Sequence, residues 1–383
     1  RARPDDAGGA EGLLGPPAGW TVVGARRSLL VHRRSLAVTL IALMIAVVIG
    51  AVSLATGTFR VSASELLDVL GGCGGGLSEK IAVKRRWVHP ISDKIPMARF
   101  MILDQRLPRW TAALTVGGML AVSGTVFQSV ARNPLGSPDV VGFTRGATTG
   151  ALLALITLGG GIVSTGTGAL LGGAATAVVV IVLTMRRGAG GDGLVLAGIA
   201  VGQMLSSLND YLLASTDVES AEAAKTWQYG SLNAITWGAA RPLLVTAALL
   251  VPLGLAISRE GGVLETGDDT AAALGSRARR TRVVLIGYGV VLASACVTAT
   301  GPIGFLALAA PQVARRLSRV SGLGVLPSFG VGAALLTLSD LVAGRLLSPF
   351  QIPVGLITSA VGGFYLMWLV GPGRTRRPMS HSS

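Results

Sequence analysis

Residues 36–57 read LAVTLIALMIAVVIGAVSLATG, an uncharged run of 22 positions preceded by Arg33 and Arg34. A helix needs about 20 mostly apolar residues to cross roughly 30 Å of hydrocarbon with its backbone polar groups paired internally. This stretch meets that requirement. It is long for the apolar region of a secretory signal and no convincing small-residue cleavage site follows it, so it reads as a retained first span. Residues 1–35 precede it; their first 25 positions are rich in Gly, Ala, Pro and Asp without apolar periodicity, and they are expected to form a flexible cytoplasmic tail.

Working outward, the same pattern recurs along the chain. Half of the 383 residues are hydrophobic, 14% are charged, and the mean hydropathy is +0.63, which places the chain outside ordinary soluble domains. The 54 glycines suit closely packed helices in lipid, where small residues let backbones approach. Polar and Gly/Pro breaks divide the chain into ten expected spans, an all-α integral membrane domain over 36–371 with a cytoplasmic tail at 372–383. After the first span they run Leu107–Ser129, Pro138–Leu158, Ile162–Met185, Gly193–Ala214, Ala239–Ser258, Val283–Thr300, Phe305–Leu317, Gly324–Leu347 and Ile352–Val370. The eighth is too short to cross alone unless the turn Gly301-Pro302-Ile303-Gly304 before it lies within the protein.

Arginine clusters before the first span, at Arg186/Arg187, from Arg277 to Arg282, at Arg315/Arg316 and from Arg374 to Arg377 all fall on one side of this arrangement. An even number of spans then leaves both termini cytoplasmic by the positive-inside rule. The loop 58–100 disagrees, carrying Lys80, Lys84, Arg85, Arg86, Lys94 and Arg99 on the outer side, although long loops obey the rule less strictly.

Several function classes are set aside on chemistry. The net charge of +14 sits in short clusters between apolar runs, not on a continuous basic face, so no nucleic-acid partner is expected. Cys73 and Cys296 are far apart and His32, His89 and His381 are scattered, so neither a disulfide framework nor a metal site is expected. The only lysines are Lys80, Lys84, Lys94 and Lys225, and none follows a glycine, which rules out a P-loop. Nor does a nucleophile, base and orienting residue form a recognisable catalytic motif, so the chain is not expected to be an enzyme.

The stretch from Leu264 to Gly275, LETGDDTAAALG, is a short helix-like segment bounded by glycines. Asp268 or Asp269 is placed to cap it, because orphan amides and the helix dipole favour an acid there. In the fifth span Gln203, Ser207 and Asp210 fall at i, i+4 and i+7 and share one face. Asp340 and Arg145 are also expected within spans, where ionisable groups are costly enough to mark function. These five are candidates for a translocation path; interhelical hydrogen bonding, or Arg145 reaching the cytoplasmic interface, is the competing account.

Six blocks carry a family resemblance. They are Arg106-Leu107-Pro108-Arg109; NPLGSPDVVGF from Asn133 to Phe143; GSLNAITW from Gly230 to Trp237; Gly267-Asp268-Asp269-Thr270 through Leu274-Gly275; Gly301-Pro302-Ile303-Gly304-Phe305 with Ala310-Pro311-Gln312-Val313-Ala314-Arg315-Arg316; and Gln351-Ile352-Pro353-Val354-Gly355-Leu356. Together, and in this order, they resemble the FecCD family of iron-siderophore and vitamin B12 permeases, within it the ferric-enterobactin branch, from about Arg106 to Leu369. The resemblance implies a ten-helix permease of the type II ABC importer, vitamin B12 permease-like fold, in the cytoplasmic membrane of a bacterium. It implies a cytoplasmic ABC ATPase dimer, a second paralogous permease subunit and an extracytoplasmic siderophore-binding protein as partners, with no cofactor bound by this chain and ATP and Mg used by the partner ATPase of a transport complex.

By the same resemblance Gly267, Asp268, Asp269, Thr270, Ala273, Leu274 and Gly275 form the ATPase-coupling contact. Arg106, Arg109 and Arg345 stand where outer-face arginines of the family receive acidic residues of the binding protein. Snorkelling of these arginines at the membrane surface is the plainer alternative. Many relatives carry Pro-His where this chain has Pro311-Gln312, so a titrating role there is unavailable. The basic loop 58–100 has no family counterpart. Ferric-siderophore import is the leading function; a vitamin B12 or haem permease, an ion-coupled secondary transporter using Asp210 or Asp340, and a polytopic membrane enzyme are the alternatives.

Overall fold

The computed structural model describes residues 20–23, 29–56, 99–158, 162–186, 191–319, 322–347 and 350–370. The expected carboxy-terminal tail 372–383 and nearly all of the basic loop 58–100 lie outside the described residues.

Within the stretch expected to be a tail, β1 (Trp20–Val23) and β2 (Leu29–His32) pair antiparallel, Trp20 opposite His32 and Val23 opposite Leu29. Their Thr21-Val22-Val23 and Leu29-Leu30-Val31 runs supply β-branched residues that favour such pairing. β2 leads directly into α1 (Arg33–Ala55). A π-helical turn, Met101–Arg106, opens α2 (Leu107–Ala131), and the chain continues through α3 (Phe143–Leu158), α4 (Ile162–Arg186), α5 (Gly191–Ala214) and α6 (Val218–Gln228). Then follow α7 (Trp237–Glu265), α8 (Asp268–Ala273), α9 (Ala278–Thr300), α10 (Leu306–Ser318), α11 (Val325–Ala343) and α12 (Val354–Val370).

The centre of the bundle is α2, buried at nearly every position from Ala112 to Ala131. It packs against α7, α9, α10 and α11, so it has neighbours on all sides. Its sequence permits this because Ala112, Ala113, Gly117, Gly118, Ala121 and Gly124 keep it thin. At Gly117 and Gly332 of α11 the two backbones touch: a Cβ on either would overlap the other's carbonyl oxygen. Gly150 of α3 and Gly168 of α4 form an equivalent seam.

Among the described residues six helices are long and apolar enough to cross a membrane: α1, α2 with its π-helical lead, α4, α7, α9 and α11. The ten expected spans each contain one helix, but four of these are not full apolar spans. α3 and α12 have 16 and 17 residues, α10 has 13, and α5, with 24, is interrupted in hydropathy by polar residues from Gln203 to Asp210.

The boundaries differ for identifiable reasons. Pro138–Gly142, expected inside the third span, is a chain of turns, with Val141 N–H donating to Ser137 O and Phe143 N–H to Pro138 O, and Gly142 at φ +77°. Beyond the expected end at Ser258, α7 continues for about two more turns, through Arg259 and Glu260 to Glu265. Charge ends an apolar run, not a ladder of backbone hydrogen bonds. α6 occupies the stretch expected to connect the fifth and sixth spans; Asp217 caps it by accepting from the Ser220 backbone N–H at 2.9 Å.

A 13-residue helix such as α10 rises only about 20 Å. The Gly301–Phe305 turn that precedes it accordingly sits within the protein, with Gly301, Pro302 and Ile303 buried. Phe305 holds φ +63°, a conformation uncommon for a bulky residue.

Candidate functional site

That interior turn forms one wall of a cavity of about 330 Å³. Pro302 and Gly304 face it from the turn; Thr144, Arg145 and Thr148 from α3; Ser206, Asn209 and Asp210 from α5; Gln228 and Tyr229 from the end of α6; Gly355, Leu356 and Ser359 from α12, with Asp139 completing the lining. Irregular backbone at membrane depth is tolerated where it lines such a space. The walls are stapled together: Ser231 N–H donates to Thr300 O at 2.8 Å and Gly355 N–H to Gly230 O at 3.2 Å.

The cavity is polar and carries charge. Asp139 accepts from the Thr144 hydroxyl through Oδ1, while its Oδ2 is buried with no partner among the described residues. Arg145 donates through Nη1 to the Gln203 side-chain oxygen. Asn209, buried, accepts from Thr149 Oγ1 at 2.7 Å and donates to the Arg145 carbonyl at 3.3 Å, locking α5 onto α3. A space lined by hydroxyls, amides and both signs of charge can hold a polar solute by hydrogen bonds without a metal or a nucleophile.

Of the path candidates, Arg145 and Asp210 line this cavity and Gln203 reaches it through Arg145. Ser207 bonds to the Gln203 carbonyl of its own helix and does not line the cavity. Asp340 lies elsewhere, in α11, where Arg109 meets it: Nε donates at 3.1 and 3.0 Å to the two carboxylate oxygens and Nη2 at 2.9 Å to Oδ1. Two residues assigned to different roles on sequence are thus one buried ion pair. Sequence reasoning passed over Asp139, Asn209, Ser206 and Ser359. Asp139 was within sight, an acid inside the quoted block from Asn133 to Phe143, but only folding brings it to the turn at Phe305.

The three arginines read as a docking set do share one end of the bundle. Arg109 starts α2, Arg106 donates from Nη1 to the Leu54 carbonyl at the end of α1, and Arg345, just past α11, lies 3.4 Å from the Val52 and Thr56 carbonyls. Arg345 is exposed and Arg106 is half-buried.

At the opposite ends of α7 and α9, α8 sits between Gly267 at φ +109° and Gly275 at φ +77°. Neither acid caps it as expected. Gly267 is the cap, with no side-chain bond, and the Asp268 carboxylate instead accepts from Arg282 Nη2 of α9 at 2.8 and 3.1 Å. A guanidinium offers a charged partner that the helix amides cannot match, so the carboxylate turns to it. Leu274 and Asp269 are exposed, as are Thr270, Ala273 and Gly275, while Ala271 anchors the segment inward.

A bundle of membrane-length helices with glycine seams, one half-length helix and a polar internal cavity beside it is the architecture of a membrane transport permease. The chain belongs to the FecCD transport family, whose pattern matches residues 39–371. It is 41% identical over 277 residues to the ferric enterobactin transport system permease protein FepG of Escherichia coli strain K12, covering 70% of this chain and 82% of that one. It is 34% identical over 286 residues to the hemin transport system permease protein HmuU of Yersinia pestis, covering 72% and 84%. A solved structure described as an inward-facing conformation of a metal-chelate type ABC transporter matches with TM-score 0.73 at 26% identity, over 88% of this chain and 99% of that one. The protein is an all-α, multi-span membrane permease, a non-catalytic transport subunit of a family whose members work with an ATPase and an extracytoplasmic binding protein.

Proposed function

We propose that this chain is the permease subunit of an ABC importer that carries ferric-siderophore complexes across the cytoplasmic membrane of a bacterium. The observation that carries the substrate class is the 41% identity to a ferric enterobactin permease over most of both chains. In this reading ten segments cross the bilayer with both termini cytoplasmic, the shorter helices α3, α10 and α12 crossing together with the non-helical backbone beside them. A second, paralogous permease completes the pathway. The exposed face of α8 with Asp269, Thr270, Ala273 and Leu274 contacts the ATPase, and Arg106, Arg109 and Arg345 meet acidic residues of the binding protein. Asp210 and Arg145, facing the cavity, contact the cargo in transit. The 34% identity to a hemin permease makes haem the second substrate to test.

Uptake of radioactive iron by cells lacking the gene, offered several ferric siderophores with labelled haem and vitamin B12 in parallel, tests the reading. Loss for one siderophore class, restored by the wild-type gene, is the expected result. At equal expression an Asp268→Ala/Asp269→Ala variant is expected to fail to restore uptake, and Asp210→Ala to restore it only about tenfold less well, the loss of a charged contact of ~1.5–3 kcal/mol. Normal iron uptake in the deletion strain would refute the substrate assignment; full uptake with Asp210→Ala would take that residue off the pathway.

A further inference from the structure

α8 hangs between two glycines at positive φ, a connection that by itself would let the segment pivot. Two ion pairs remove that freedom. Immediately before α8, Glu265 at the end of α7 accepts from Arg315 Nη2 at 3.0 Å, and the same nitrogen donates to Ser129 Oγ of α2 at 2.9 Å. At the start of α8, Asp268 is held by Arg282.

The positions of the two arginines matter. Arg282 stands near the start of α9 and Arg315 in the last turn of α10. These two helices are consecutive and meet at the Gly301–Phe305 turn, the cavity wall that carries Pro302 and Gly304. α9 and α10 therefore converge on the cavity wall, while their far ends are tied ionically on either side of Gly267, Arg315 to Glu265 at the end of α7 and Arg282 to Asp268 at the start of α8. Stability alone is a weak reason for the pairs, since each guanidinium buries an Nε with no partner among the described residues, and half-desolvated ion pairs stabilise little.

We propose that Glu265–Arg315 and Asp268–Arg282 make the α7–α8 junction, α9 and α10 a single lever, so that a displacement of α8 is delivered to the cavity wall at Pro302 and Gly304. This rests on the reading of α8 as the ATPase contact. Glu265, Arg282 and Arg315 act as positioning residues, touching neither cargo nor nucleotide.

The test uses the assembled transporter, purified through a tag on this chain and placed in lipid nanodiscs. Cys73 and Cys296 are replaced by Ala, and Ser206→Cys puts a reporter thiol on the cavity. Its rate of modification by a small maleimide is measured without nucleotide and with ATP and vanadate. With both pairs intact the two rates differ about fivefold or more, the lower end of allosteric coupling. In Arg315→Met, Glu265→Gln and Arg282→Met the difference shrinks to under about twofold, with the ATPase still bound, and Arg315→Lys, which keeps the charge, retains it. A response undiminished in all three variants would overturn the lever. So would loss of the ATPase from the purified variant complexes, which would make the pairs assembly contacts. No response with the pairs intact would sink the coupling reading itself and the lever with it, while leaving the substrate assignment to the uptake assay.

Discussion

A carboxylate inside an apolar helix is costly unless a cation meets it, and Asp340, 6% exposed, is met by a fork of two Arg109 nitrogens. Removing the guanidinium strands the charge. Arg109→Met is therefore expected to cost about 3–5 kcal/mol, seen as a lower thermal midpoint of the purified complex. Arg109→Met combined with Asp340→Leu should recover most of it, because no unpaired charge remains. If the double variant is as unstable as the single, the pair is not what Arg109 contributes. Nothing in the sequence links positions 231 apart; each residue was visible as an ionisable group near or within a span, but their partnership was not. The same holds for Glu265 and Arg315, and for Thr149 and Asn209. Single residues were legible as unusual; their contacts depend on how helices distant in sequence are laid side by side.

Elements follow sequence most closely where apolar runs are long, as in α1, α2, α9 and α11, and least where backbone chemistry overrides hydropathy. Gly142 delays the start of α3, and the capped, charged α6 has no apolar run to announce it. Its legible signal is local: Asp217 ahead of Glu219 and Glu222, with Lys225 near the far end, as helix caps and dipole require. The Ser220 backbone N–H holds the exposed Asp217 carboxyl below its ordinary value of 3.8. A lowered folded-state pKa means the cap's contribution is present above the ordinary value and is lost as pH falls through the lowered one. Amide exchange across α6, compared with that of α7, should therefore accelerate as pH drops below about 4, and Asp217→Ala should show the faster exchange at neutral pH as well. The α3–α4 seam makes a different demand. Gly150→Val forces a side chain into the Gly168 carbonyl, and the overpacking is expected to cost about 1–3 kcal/mol. Less mature protein in the membrane and a lower melting midpoint are the readouts; a variant as stable as wild type would mean that the seam opens freely.

For the whole molecule, the proposed docking of an acidic partner at the end that carries Arg106 and Arg345, where Arg109 is already paired with Asp340, would be an electrostatic encounter. Surface charges are screened over about 8 Å at physiological ionic strength, so the association rate of the binding protein should fall steeply with added salt. Arg345→Gln should lower that rate and flatten its salt dependence in a surface-based kinetic assay; an unchanged rate would favour arginines that only anchor helices at the interface. By itself the sequence determined that the chain lives in a bilayer, where most of the long apolar helices begin and end to within a few residues, the charged extension of α7 excepted, and, through six ordered blocks, which family it belongs to. Those properties are local, set by hydropathy, glycine and proline chemistry, and contiguous motifs. Only the tertiary structure decided that α10 returns from an interior turn, that this turn walls a polar cavity with Asp139 and Asp210, that Arg109 and Asp340 neutralise each other, and that the α7–α8 junction is tied to two helices meeting at that cavity. Each of these requires residues far apart in the chain to come within hydrogen-bonding distance, which is a property of helix packing and is written in no single stretch.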